Sequence, residues 1–236
     1  MTSGRFPNLS PNLFPNLMGI PPEKTPEGVI AVGGDLDPET LMDAYRKGIF
    51  PWPISPGPDS DEDEAVLAWF SPHPRAILVF EELHLPQSLK RAQNRSKLRF
   101  THDQAFKEVI SACQQTPRPA QNGTWITDEM FDAYMALHRL GIAHSFEAWE
   151  EDQLVGGVYG VSIDGIFAGE SMFHRVDNAS KLTLLHMAEY FSERGLQWID
   201  IQMMTPHMKG LGAREISRDD FLLRLLQTRA LGLRLF

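Results

Sequence analysis

The chain has one cysteine in 236 residues, Cys113. A single thiol forms neither an internal disulfide nor a zinc cluster by itself, and its scarcity fits a reducing compartment. Its spacing with Phe106, Val109 and Ile110 reads it as a small buried hydrophobe. Long apolar runs are missing as well, since no stretch approaches the roughly 18 uninterrupted apolar residues of a membrane span. The opening MTSGRFPNLSPN has neither the charged start nor the apolar centre of a secretion signal, so a cytoplasmic location and no membrane partner are expected. The eight histidines show no H-x-x-x-H spacing beside a third ligand, so neither a metal nor another cofactor is expected. Positive charge is in deficit, 22 Lys and Arg against 31 Asp and Glu, which argues against a general affinity for nucleic acid. SLKRAQNRSKLRF is a local exception: Lys90, Arg91, Arg95, Lys97 and Arg99 occur there with no acid among them. On composition alone that stretch is either a solvated helix face or a phosphate-binding surface.

What is present is an ordinary globular composition, 42% hydrophobic and 22% charged, in a chain long enough to bury a sizeable core. The first twenty-odd residues repeat as FPNL, SPNL and FPNL, a Pro/Asn-rich tether. GVIAVGGDL reads as a strand broken by Gly33 and Gly34, and Pro38 opens a helix that ends at Gly48. The next segment mixes aromatics and prolines around an acidic run from Asp59 to Glu64, read as a loop tip. Beyond Arg75, AILVF reads as a strand, and PQSLKRAQNR and HDQAFKEVISACQQ as amphipathic helices. A loop from Thr116 to Gly123 precedes a helix capped by Thr127 and closed by Gly141. AHSFEAWEE, LVGGVYGVSI and GIFAGESMFHR read as antiparallel strands, turning near Asp152 and at Asp164-Gly165. A helix (ASKLTLLHMAEYFSERG), a strand (LQWIDIQ) and a short helix (TPHMKGLG) follow. The predicted class is α+β, with a small N-terminal α/β domain over 1–73 and a larger domain, a mixed sheet flanked by helices, over 74–236.

Ten motifs then occur in order: GGDL (33–36), AYRKGIFPW (44–52), SPHPR (71–75), GTWIT (123–127), AHSFEAW (143–149), LVGGVYG (154–160), GESMF (169–173), NASK (178–181), IDIQ (199–202) and LGA (211–213). In these the chain, from about Phe14 to Leu226, resembles the leucyl/phenylalanyl-tRNA–protein transferase family. The resemblance implies an enzyme that moves Leu, also Phe and Met, from aminoacyl-tRNA to the N-terminal Lys or Arg of acceptor proteins, marking them for N-end-rule degradation. It also implies that the larger domain resembles the acyl-CoA N-acyltransferase fold. An acyl-CoA-dependent N-acetyltransferase is the alternative, but the turn HRVDNASK has no glycine with which to cradle a pyrophosphate. A non-catalytic RNA-binding module is a further reading, and a monomer is expected. His73 and Thr205-Pro206 depart from the family's more usual residues.

An aminoacyl ester is already activated, so the enzyme has to align amine and ester, carry off one proton and stabilise an oxyanion. On WIDIQ, Asp200 and Gln202 are two apart, which predicts both on one face of a strand. Gln202 would hold the attacking amine through its carbonyl oxygen, and Asp200 would stabilise or relay the proton. Glu170 interrupts an apolar strand, where it either serves the active site or pairs with Arg175; Glu147 is a weaker candidate of the same kind. The resemblance assigns Asp200, Gln202 and Glu170 to the active site, and places Val158, Phe167, Leu184, Met187 and Phe191 in the aminoacyl pocket. Trp52 and Trp125, with Tyr45 nearby, are candidates to stack on the terminal adenosine. Lys90 to Arg99 would then hold tRNA phosphates.

Overall fold

The structure, a computed structural model, describes residues 14–54, 66–116 and 125–236. The repeats at 6–13, the acidic run 59–64 and most of the loop 116–123 lie outside the described residues. The last repeat is inside them and is anchored: Phe14 and Leu17 are buried, and the Phe14 ring lies 4.7 Å from that of Trp69.

The chain runs through β1 (Val29–Val32), α1 (Pro38–Arg46), β2 (Phe50–Ile54), β3 (Val66–Phe70), β4 (Arg75–Val79), α2 (Gln87–Arg95), β5 (Arg99–His102), α3 (Phe106–Gln115) and α4 (Asp128–Arg139). It continues through β6 (Ala143–Glu150), β7 (Gln153–Ile163), β8 (Ile166–His174), α5 (Ala179–Glu193), β9 (Trp198–Asp200), α6 (Pro206–Gly210), β10 (Arg214–Ile216) and α7 (Arg218–Ala230). Helix starts follow their capping residues: Asp37 accepts from the N–H groups of Glu39 and Thr40, with Pro38 at the first helical position. Thr127 caps α4 as expected, and Ser217 caps α7.

Two sheets result. A three-stranded sheet has the order β1-β3-β2, and a seven-stranded sheet the order β10-β4-β9-β8-β7-β6-β5. All the pairings are antiparallel except β8 with β9, which are parallel and joined through α5. One continuous apolar cluster runs through both sheets. The architecture is α+β, with a small N-terminal part and a larger mixed sheet flanked by helices.

Sequence reading missed the strands β2, β3, β5 and β10. β5 and β10 are short edges of the larger sheet. β2 carries Pro51 and Pro53, which hide it from a propensity argument; among the described residues it pairs with β3 alone, so both missing N–H groups can face away from that partner. β9 is shorter than predicted because Gln202 has φ +56, which takes the chain out of the strand.

Three features of the larger sheet position the site. Neighbouring residues on β7 face opposite ways, and a Cβ at Gly156 would meet Ala179 of α5 while one at Gly157 would meet Val109 of α3, so these helices cover opposite faces. Tyr159 pairs with Ser171 but Gly160 pairs with Gly169, which leaves Glu170 as the extra residue of a β-bulge. A Cβ on Gly160 would come within 2.2 Å of the Ala168 carbonyl oxygen, so the bulge depends on glycine there. Gly160→Ala is therefore expected to destabilise the fold by about 2–3 kcal/mol, read as a lower urea midpoint. An unchanged midpoint would mean that β8 does not need that close approach.

Candidate active site

The bulge aims Glu170 at a cavity of about 430 Å³ between the sheet, α5 and α6. Its wall is largely apolar, with Val158, Met172, Phe173, Leu184, Ile199, Ile201 and Met208. Glu170 and Gln202 bring a carboxylate and an amide to it, and Ser180, His174, Thr205 and His207 supply further polar groups.

Behind the wall lies a buried polar network. β4 and β9 pair with Ile77 opposite Asp200, so Arg75, two residues before Ile77, sits diagonally across from Asp200 on the same face. Arg75 donates from Nε to Asp200 Oδ1 at 2.8 Å and from Nη2 to Oδ2 at 2.6 Å. Its Nη1 donates to the Gly48 carbonyl at 3.0 Å, and the guanidinium lies between the rings of Phe50 and Phe221, 4.9 and 4.4 Å from their centres. Asp200 Oδ1 also accepts the Gln202 backbone N–H at 2.9 Å, which holds the left-handed turn at Gln202. That hydrogen bond, rather than strand alternation, relates Asp200 to Gln202.

The Gln202 side chain donates from Nε2 to Glu170 Oε1 at 2.8 Å. Tyr134 donates to Glu170 Oε2 at 3.0 Å, and its oxygen lies 2.8 Å from the Tyr45 hydroxyl. Burial pushes the Glu170 carboxyl up to about 7; the tyrosine hydrogen bonds oppose that rise, nearby Asp200 adds to it and Arg75 subtracts from it. Burial and the Glu170 charge push both tyrosines well above their ordinary range, so they stay protonated donors.

The structure thus brings Asp200, Gln202 and Glu170 together. Arg175 is not the partner of Glu170: it donates to the Leu154 carbonyl and lies over Phe173. Glu147 is away from the cavity wall, fully buried, and accepts from Thr101, Ser145 and the Ala105 N–H, which makes it a brace between β5 and β6. Of the expected pocket residues, Val158 and Leu184 line the cavity. Phe167, Met187 and Phe191 do not; they are fully buried in the core, with the Phe167 and Phe191 rings 4.8 Å apart. Tyr45 is buried and engaged with Tyr134, so it offers no stacking face. Trp52 and Trp125 stack on each other at 4.9 Å and 15°, with Trp125 buried and Trp52 half-buried. Lys90, Arg91, Arg95, Lys97 and Arg99 are all exposed. Arg95 and Lys97 border a second cavity that also touches Val176 and Asp177, while His174 and Ser180 line the first, so the β8–α5 connection lies between them.

Arg75 and Tyr134 are the participants that sequence reasoning overlooked. A signal for Arg75 was available: a cation at the head of the apolar run AILV is costly to bury unless paired. Tyr134 had none, being one of several aromatics on an amphipathic helix. Among the described residues no three His, Cys, Asp or Glu side chains gather as metal ligands, and no helix is long and apolar enough to cross a membrane.

Residues 77–226 match the family model described as leucyl/phenylalanyl-tRNA protein transferase, and residues 34–73 match the model for its N-terminal domain. The chain is 49% identical over 200 residues to a leucyl/phenylalanyl-tRNA–protein transferase of Anaeromyxobacter sp. strain K, covering 85% of this chain and 82% of that one. Identity to the protein of the same name from Flavobacterium johnsoniae is 45% over 212 residues, covering 89% and 96%. For that of Nitrosomonas europaea it is 47% over 206 residues, covering 87% and 84%.

The Glu170 environment has a measurable cost. The unfolded chain releases this proton near 4.5 and the folded protein near 7, so between those values the folded state holds the extra proton and stability falls as pH rises. Relative to Glu170→Gln, which cannot ionise, the wild type is expected to lose up to about 3 kcal/mol across that window. Urea unfolding of both proteins over the pH series measures it; parallel curves would mean that the carboxyl ionises normally.

Proposed function

The chain belongs to the leucyl/phenylalanyl-tRNA protein transferase family, and we propose that it transfers Leu, and also Phe or Met, to the N-terminal Lys or Arg of acceptor proteins, marking them for N-end-rule degradation. The observation that carries this reading is the pairing of Gln202 with Glu170 at the wall of an otherwise largely apolar cavity. The apolar wall takes the aminoacyl side chain. Because one methylene in such a wall is worth only about 1–3 kcal/mol, tolerance of more than one apolar amino acid follows.

Asp200, Gln202 and Glu170 are the proposed catalytic group. Gln202 spends its Nε2 on Glu170, so its carbonyl oxygen is the atom turned over to the attacking amine. The amine ionises near 7.7–8.0, roughly, so a useful fraction is neutral at pH 7 without a covalent nucleophile. No cofactor is needed, because the ester supplies the activation. Trp52, backed by Trp125, is the proposed platform for the terminal adenine. The exposed cations from Lys90 to Arg99 take acceptor-stem phosphates. In this reading residues 74–236 carry the chemistry, residues 1–73 support it, and the protein works as a monomer in the cytoplasm.

Radiolabelled Leu transfer from charged tRNA to a protein with N-terminal Arg tests the proposal, with acetyl-CoA supplied in parallel as the alternative donor. Transfer from tRNA only, reduced about 100-fold or more in Gln202→Ala, is expected. Labelling from acetyl-CoA alone would replace this reading with the N-acetyltransferase one. In the same assay Arg91→Ala with Arg95→Ala should raise KM for tRNA and reduce the salt dependence of binding by about two phosphate contacts. An unaltered salt slope would move the tRNA path away from α2.

A further inference from the structure

We propose that the proton shed by the attacking amine goes to Glu170, and that Arg75 holds Asp200 as a permanent anion that positions Gln202 without taking the proton. This rests on the aminoacyl-transfer reading above and assigns the acid–base step within it.

Access separates the two carboxylates. Asp200 is 4% exposed and absent from the cavity wall, whereas Glu170 is half-buried and on it. Saturation separates them again. Asp200 Oδ1 accepts from Arg75 Nε and the Gln202 N–H, and Oδ2 accepts from Arg75 Nη2. Protonating Asp200 would break a charge-assisted two-pronged pair and leave a buried guanidinium that cannot give up its own proton. Glu170 accepts from Gln202 Nε2 on one oxygen and from the Tyr134 hydroxyl on the other, with the Tyr45 hydroxyl also acting on it; all are neutral donors, so protonating this carboxylate strands no buried charge. It also shares the wall with Gln202, so an amine held by the Gln202 carbonyl lies beside the Glu170 carboxylate.

The ionisable groups around Glu170 agree with that division. Tyr134 of α4 donates to it, with Tyr45 of α1 and Tyr159 of β7 behind; Asp200 of β9 and Arg75 of β4 form the neighbouring pair. The upward displacement of Glu170, to about 7, brings it close to the amine it would deprotonate. The step balances as follows. The amine lone pair forms the C–N bond at the ester carbonyl carbon, and the C=O electrons move onto oxygen. The amine proton passes to Glu170. When the C–O bond to the ribose breaks, the departing ribose oxygen takes that proton and Glu170 returns to its carboxylate. Arg75 acts at one remove, as a positioning residue: it fixes Asp200, which fixes the left-handed turn that presents Gln202.

The test is log kcat/KM for leucyl transfer against pH, below and through neutrality. In the wild type two deprotonations precede reaction, at the amine and at Glu170, so the acid limb has a slope of about 2. Glu170→Gln should fall about 100-fold or more and show a slope of about 1. Asp200→Asn and Arg75→Lys should lower kcat more than they raise KM, with a slope of about 2 retained. Tyr134→Phe, the mildest change, removes a donor to the carboxylate and should move the limb to higher pH, which keeps the proposal testable where a charge variant does not fold. A wild-type slope of about 1, an unmoved limb in Tyr134→Phe, or a slope lost in Asp200→Asn but kept in Glu170→Gln would each overturn the assignment. Wild-type protein inactive with leucyl-tRNA at every pH would instead overturn the functional reading.

Discussion

The ion pair between Arg75 and Asp200 lies where the small sheet, the large sheet and the last helix come together. Arg75 begins β4, its guanidinium is clamped by Phe50 of β2 and Phe221 of α7, and it reaches the Gly48 carbonyl at the end of α1. A charge this deeply buried needs its counter-charge in contact, and here each of the three guanidinium nitrogens also donates a hydrogen bond. The small sheet, the large sheet and the last helix must therefore dock in one relation before the carboxylate on β9 is satisfied. Stability alone does not explain such a pair, since an apolar replacement of similar volume is often as stable. What it specifies is a unique position for Asp200, and through the Gln202 N–H a unique position for the amide at the cavity.

Glu170 is placed by a different device. An ordinary strand would present residues 169 to 171 in strict alternation, whereas the bulge opposite Gly160 lets β8 insert one residue and turn its side chain to the cavity. The motifs around residues 154–160 and 169–173 are in this sense one motif: glycine on β7 makes the space that the glutamate on β8 uses. The two carboxylates then differ by environment. Asp200 faces a guanidinium, while Glu170 faces neutral donors and loses water.

Much of this was legible in the residues. The α+β class, the helix start at Pro38, the cap at Thr127 and the hairpin turns follow from local chemistry that the fold does not override. Asp200, Gln202 and Glu170 were legible as a group through the family resemblance; the residues alone marked each as a polar group in an apolar strand and left a structural role open. Their geometry was not. Strand alternation predicted a shared face for Asp200 and Gln202, but a left-handed residue with a backbone hydrogen bond produces the relation instead. The aromatic expectations fared unevenly, because burial depends on long-range packing: Tyr45 lies in a hydrogen-bond chain, and Trp125 backs Trp52. Phe167, Met187 and Phe191 sit in the core for the same reason, since an apolar residue carries no local mark that separates pocket wall from core filling.

The proline-bearing edge of the small sheet bears on how these molecules behave in a crowd. An open strand edge is a template on which another chain can add its own strand, and sheets grow into aggregates that way. β2 ends its sheet with Pro51 and Pro53 two residues apart, flanking Trp52. A strand approaching that edge finds carbonyls without the N–H partners that a ladder needs, so an aromatic residue can stand at the rim without recruiting a neighbour. The same two rings that obscure the strand in the sequence leave this edge, among the described residues, a poor template for a further strand.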